Sequence, residues 1–319
     1  MNDYLHNCYF SETVYGEIES LTAPCPEPAA THWTHLDLNN DHSMEWLRNR
    51  SGIDPVVIDG LSAAETRPRA WANEQGILII LRGVNMNPGQ NAEDMVSVRI
   101  WIEANRIISV RRHRLLSVQD LHEAIATRRV KPDTGRFLTE LVERMADRIG
   151  DFVNSIEEDM GNAEDGLETS DPTEFRTRLG DLRRQIAGVR RFLAPQRDAL
   201  DRLNHINTSV LGSETRQRLR EESDRVSRYL EDLDLARERA VVLQEAFVSQ
   251  LVQQQNTRMY VLSVVAAIFL PLTFLTGMLG MNVGGLPGVD SPWGFALASL
   301  VMVVCCVLMV LYFKKKDWF

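Results

Sequence analysis

The chain has very little cysteine: four residues in 319, at Cys8, Cys25, Cys305 and Cys306, with no CxxC spacing. That scarcity argues against a disulfide framework and a structural zinc knot. It also lacks a Gly-x-x-x-x-Gly-Lys-Ser/Thr segment, so ATP hydrolysis on a phosphate-cradling loop is not expected. No nucleophile and base pair stands out, and the chain is read as no enzyme. Surplus cations are missing too. The net charge is -9, which argues against a nucleic-acid partner, whose phosphates need clustered Lys and Arg. The first ten residues have no basic region followed by an apolar core, so no secretory signal is expected there.

The most informative absence is local. Between Met259 and Phe313 there is no Asp, Glu, Lys, Arg or His except Asp290. Two apolar stretches result, 259–279 and 293–313, each of about 20 residues and so roughly 30 Å long as helices, the thickness of a bilayer's hydrocarbon core. A soluble helical hairpin of that length would need a polar face. The mean hydropathy of -0.19 hides this because it averages two solvents. Arg258 precedes the first span and Lys314, Lys315 and Lys316 follow the second, while the connecting loop has no Lys or Arg. The positive-inside rule therefore places both termini in the cytoplasm and the loop outside. Apart from the tail and Asp290, residues 1–258 carry a charge of -10, a large acidic module.

Residues 1–130 read as a compact α/β domain. Strands are expected at 31–38, 76–84, 95–103 and 106–112, with Ala104-Asn105 joining the last two as a hairpin, and helices at 43–50 and 117–129. In 95–103, Val96, Val98, Ile100 and Ile102 alternate with Ser97, Arg99 and Trp101, and Ser117 is a candidate helix cap. Residues 131–258 form a helical region: 137–167, then 172–207 after a break where Asp171 caps and Pro172 takes the first turn. From Ser213 to Leu270 there is neither glycine nor proline, so one helix is expected to continue into the first span, about 100 Å in all. Leu219, Val226, Leu230, Leu233, Ala240, Phe247 and Leu251 form its packing seam. Pro271 should bend or widen it.

One hairpin encloses no aqueous path, so a transport reading requires several copies around an axis. Asn256, Met259, Leu262, Ala266, Leu270, Thr273 and Gly277 recur at three- to four-residue intervals and provide a stripe to face it. Ordinary helix packing explains such a stripe about as well. Its apolar character cannot replace the inner hydration shell of a divalent ion, so the ion would pass largely hydrated or be gated by dewetting. At the outer end Gly280 permits close backbone approach and Asn282 offers a neutral carbonyl dipole. Gly280-Met281-Asn282 is equally a helix terminus of ordinary composition.

That tripeptide, at the end of the first of two C-terminal spans and behind a long helix, resembles the CorA-type metal ion transporter superfamily. The resemblance covers almost the whole chain. It implies a homopentamer with a cytoplasmic α/β/α domain, a long helix continuing into the first of two transmembrane helices, and an outer selectivity ring of Gly280, Met281 and Asn282. It also implies a pore lined by Asn256, Met259, Leu262, Leu270 and Thr273, in agreement with the stripe that includes Gly277. The domain plan is then 1–130, 131–258, a two-helix membrane domain 259–313 with outer loop 280–292, and a basic cytoplasmic tail 314–319. Magnesium-transporting members typically have an aromatic residue before the tripeptide and an acidic loop after it. Here Leu279 precedes and Val283-Gly284-Gly285-Leu286-Pro287-Gly288 follows. This is similar to the zinc-transporting ZntB branch, as is Thr66-Arg67-Pro68-Arg69. Zinc is then the transported substrate and no cofactor is implied; the partners are the inner-membrane bilayer and further copies of the chain. A divalent ion moving inward through about 100 mV gains roughly 4.6 kcal/mol, so uptake needs no fuel, and proton coupling remains open. The alternatives are a magnesium or broad divalent channel, or a membrane-anchored scaffold.

Other residues invite weaker readings. His32 and His35 should point to opposite faces of a strand. His6 and Cys8 would share a face if extended, although a mobile terminus is the commoner state. The cluster Glu157, Glu158, Asp159, Glu164, Asp165 and Glu168 could attract cations but is more ordinarily a solvated helix face. Asp290 could concentrate cations at the outer mouth.

Overall fold

The computed structural model describes residues 4–11, 13–27, 29–130, 133–206, 208, 210–281 and 291–315. The chain divides into two compact units, Met1–Gln244 and Glu245–Phe319.

The first unit is built on a seven-stranded sheet. Its strands are β1 (His6–Phe10), β2 (Tyr15–Glu17), β3 (Thr31–Asp37), β4 (Arg69–Ala72), β5 (Ile77–Gly83), β6 (Val96–Ile102) and β7 (Arg106–Arg111), in the order β2-β1-β3-β7-β6-β5-β4. Among the described residues, only β3 and β7 pair in parallel. The expected β6–β7 hairpin forms, with Ile102 opposite Ile107, and Arg106 closes it by donating from Nε and Nη2 to the two carboxylate oxygens of Glu103 at 2.9 and 2.7 Å.

Helices cover both faces. On one lie α1 (Asp41–Asn49) and α2 (Pro55–Ser62), whose Leu47, Val57 and Leu61 pack with Leu78, Trp101, Ile108 and Val110 of the sheet. Their starts are dictated locally: Asn40 accepts the N–H of His42 at 2.9 Å, and Asp54 accepts that of Val56 at 2.8 Å ahead of Pro55. On the other face lie Phe10, Trp33 and Phe137, the last two edge to face at 4.8 Å. Because both faces are covered, Arg99 and Trp101 on the polar-looking side of β6 are buried as well, while Ser97 stays half-buried.

Helix α3 (Leu116–Ala126) corrects one expectation. Leu115 stands at its cap without a side-chain bond, and Ser117 is buried within the helix, donating to the carbonyl of Arg144 at 3.3 Å. Helices α4 (Thr134–Asp165) and α5 (Pro172–His205) begin at Asp133 and Asp171; the Asp171 carboxylate accepts the N–H groups of Thr173 and Glu174 at 2.8 and 3.2 Å. Helix α6 (Ser213–Leu279) starts in this unit, and Leu219, Val226, Leu230, Leu233 and Ala240 are buried along its seam. Arg225 donates to Asp147 of α4 at 2.6 Å, and Arg190 of α5 pairs with Asp234 at 2.7 Å. Gly150 of α4 admits the Tyr229 hydroxyl, which a Cβ at that position would meet at 2.5 Å.

The second unit contains the rest of α6 and α7 (Gly294–Lys315). Each presents a window apolar and long enough to cross a bilayer. Leu251, at the end of the expected seam, is exposed.

Candidate functional site

Within the second unit the residues of the stripe all fall on one continuous helix. At roughly 100° per residue, Asn256, Met259, Leu262, Ala266, Leu270, Thr273 and Gly277 occupy an arc of about 120°. All seven are exposed in the single chain. Val264, which lies about 140° from the middle of that arc, is instead buried, at 6% exposure. Val261 and Val265, also off the arc, are exposed at 54% and 45%, so the stripe is set apart from the rest of the helix by its spacing and not by its exposure.

Its chemistry is nearly featureless. The Thr273 hydroxyl donates to its own helix, to the carbonyl of Phe269 at 2.8 Å, and so turns only acceptor capacity outward. Ser263 and Thr276 bond back in the same way, to Met259 at 2.8 Å and Thr273 at 3.0 Å. Pro271 lies inside α6 without ending it. No titratable side chain lies on the stripe, and among the described residues no group of three His, Cys, Asp or Glu is arranged to hold a metal ion. Such a surface can pass an ion that keeps its water but cannot strip it.

Helix α6 ends where the sequence places glycine. The Gly280 N–H donates to Thr276 at 2.9 Å, and that of Met281 reaches back three residues to Met278 at 3.4 Å, tightening the last turn. A Cβ on Gly280 would lie 3.1 Å from the Thr276 carbonyl. Met281 is half exposed. Asn282 and Asp290 lie outside the described residues. Helix α7 opens after Ser291, whose hydroxyl accepts the Trp293 N–H at 3.3 Å, and closes on Lys314 and Lys315. Exposed Trp293 and Tyr312 stand near its two ends, the positions of interfacial aromatics in a bilayer.

In the first unit the acidic run on α4 is partly neutralised. Glu164 receives a two-pronged bond from Arg239, at 2.8 and 2.6 Å, which holds its carboxyl below the usual range, and Asp159 takes Arg178 at 3.3 Å.

Two constellations escaped sequence reasoning. His6 is no loose terminus: β1 pairs with β3 in register, bringing His6 opposite His35. The His6 ring stacks on His122 at 3.7 Å and on His35 at 5.7 Å. Burial, followed by the neighbouring His122 and Arg111, pushes His6 down to about 4, and burial holds His35 far below its usual range. His32 points elsewhere, to Asn7 Oδ1 at 2.7 Å. The second constellation gathers Arg82, Arg99, Arg112 and Arg191 around one cavity. The only sequence signal was an arginine between β-branched residues on a strand.

Fold and surface together define a two-span membrane protein carrying a large α/β unit. Residues 28–315 match the profile of the CorA-like Mg2+ transporter family. The chain is 35% identical over 293 residues to the divalent cation transporter CmaX of Pseudomonas aeruginosa, covering 91% of this chain and 88% of that one. It is 32% identical over 303 residues to the zinc transport protein ZntB of Yersinia enterocolitica, covering 93% and 92%. The solved structure of full-length CmaX superposes with a TM-score of 0.85 at 32% identity, over 100% of this chain and 99% of that one. The chain belongs to the CorA-like transporter family: it is a membrane ion transporter and not an enzyme.

Proposed function

We propose that the protein is a zinc transporter of the bacterial inner membrane, working as a homopentamer with both termini in the cytoplasm. Five copies of the α6 stripe line its pore, and Gly280, Met281 and Asn282 form the outer selectivity ring. Asp290 raises the local cation concentration at that mouth.

The observation that carries the reading is the uncharged arc from Asn256 to Gly277 on one continuous helix, ending at Gly280 without a titratable side chain along it. Two helices enclose no aqueous path, so transport calls for further copies of the chain, and a neutral lining suits a hydrated cation that must be released as readily as it is captured. Zinc is favoured by Leu279 before the tripeptide, the glycine-rich segment after it, and the 32% identity to a zinc transport protein.

A second reading, a magnesium or broad divalent channel, is favoured by the family description and by CmaX at 35% identity. Uptake into liposomes containing the purified protein separates the two. Zinc influx well above that of magnesium is expected; equal fluxes establish the second reading, and liposomes tight to every divalent ion overturn both. Repeating the assay with an imposed pH gradient tests proton coupling.

A further inference from the structure

The first unit holds a cavity of ≈ 510 Å³ whose walls carry far more positive than negative charge. Arg82 and Arg99 reach it from β5 and β6, Arg112 from just beyond β7, and Arg191 from α5, with His113 beside them and Asp94 as the lining carboxylate. Four guanidinium groups against one lining carboxylate reverse the balance of a chain whose net charge is -9.

Arg99 is the decisive residue. Only 1% of it is exposed, yet its Nε and Nη1 have no acceptor, and the Nε of Arg112 is buried without one too. Arg82 donates to the carbonyls of Thr66 at 3.1 and 3.0 Å and of Met95 at 2.5 Å, and its guanidinium lies 4.1 Å over the Phe192 ring. Arg112 reaches the Ser62 carbonyl at 3.0 Å. Those contacts are neutral. None of the four arginines has a carboxylate at ion-pairing distance among the described residues.

An arginine cannot escape this position by losing its proton in the physiological range, since its guanidinium remains charged even when burial and the neighbouring Arg112 and Arg82 push it down to about 10. Buried charge without a partner is strongly unfavourable, and buried donors are normally satisfied. An anion able to accept from several guanidinium groups at once would satisfy these donors and balance their charge. Phosphate oxygens match the planar fork of arginine in geometry and charge. The volume falls in the range of small-molecule sites, well above that of a single phosphate group.

We propose that this cavity binds a phosphate-bearing small molecule, with Arg99 at its floor and Arg191 at its rim. The proposal is independent of which metal the protein carries, because its readout is anion binding and not flux.

The test is calorimetric titration of the full-length protein in detergent, freed of divalent metal, with pyrophosphate and separately with citrate, at ionic strength fixed by sodium chloride. Saturable pyrophosphate binding at one site per chain is expected, with citrate much weaker. Arg99→Gln and Arg191→Gln should each weaken it by about tenfold or more, the scale of losing one charge-assisted bond. Arg191 is exposed, so its variant keeps the fold and decides the matter if Arg99→Gln fails to fold. Absence of saturable binding in the assembled protein would overturn the proposal. So would a preference for citrate, or undiminished binding in Arg191→Gln.

Discussion

The imidazole of His6 lies face to face with that of His122, ring centroids 3.7 Å apart and planes 15° from parallel, joining β1 to α3. His35 lies behind them, fully buried, with its Nδ1 2.7 Å from the Ser109 hydroxyl. The arrangement disfavours the charged form of all three imidazoles. Burial is the main cause, and Arg111 adds to it at His6 and His35 while Glu17 partly opposes it at His122.

The sign of the pH effect follows. The folded-state values lie below the ordinary 6.5, so below that pH the unfolded chain binds more protons than the folded one, and stability decreases as the pH is lowered. The contribution is complete above 6.5 and is lost as the pH drops toward about 4. Thermal unfolding of the detergent-solubilised protein should show a midpoint falling across this window, and His6→Gln should flatten the fall. An unchanged slope in that variant would show that the stack does not govern acid sensitivity.

Gly76 and Gly180 should respond oppositely to alanine. Asn73 Oδ1 accepts the N–H groups of Gln75 and Gly76 at 2.9 and 3.0 Å, closing the β4–β5 turn, and a Cβ on Gly76 would lie 2.4 Å from the carbonyl oxygen of Ile102. Gly76→Ala should destabilise by about 1–3 kcal/mol, since backbone cannot yield as a flexible side chain does. Gly180 is exposed within α5 with nothing near its missing Cβ, so Gly180→Ala should stabilise by about 0.5–1 kcal/mol. Unfolding midpoints of the two variants should move in opposite directions.

Phe137 ties α4 to the sheet by edge-to-face contact with Trp33 and by stacking on Phe10 at 6.3 Å. Its side chain is fully buried. Phe137→Ala should cost about 3–5 kcal/mol, lowering the midpoint by roughly 2–4 °C per kcal/mol for a unit of this size. A loss below 1 kcal/mol would place the main tie elsewhere.

The proposed outer ring makes a prediction at Asn282. In liposomes, Asn282→Ala should abolish most divalent flux while gel filtration still reports the assembled oligomer. Asp290→Asn should reduce flux chiefly at low metal concentration and low salt, where a screened charge at the mouth matters most. Retained flux in Asn282→Ala is what a membrane-anchored scaffold, or a pore without this ring, would give.

The membrane spans, the long α6 and the caps at Asp54, Asp133 and Asp171 follow from information within a few residues of each position. A charge-free run of sufficient length has one solvent available to it, and a cap is satisfied by its own next turn. The stripe was legible for the same reason, since helical periodicity places Asn256 through Gly277 on one arc whatever surrounds them. Strand β1 was not, because nothing in His6–Phe10 alone distinguishes a paired strand from a loose end; pairing to β3 decided it. The alternation in β6 suggested a polar face at Ser97 and Arg99, but helices cover that side of the sheet and Arg99 is buried there. The histidine stack and the arginine-walled cavity likewise exist only through long-range pairing, which brings His6 to His35 and His122, and Arg99 to Arg82, Arg112 and Arg191. Local pattern sets which elements form, whereas burial and unpaired charge depend on what packs against them, and only the tertiary structure determines that.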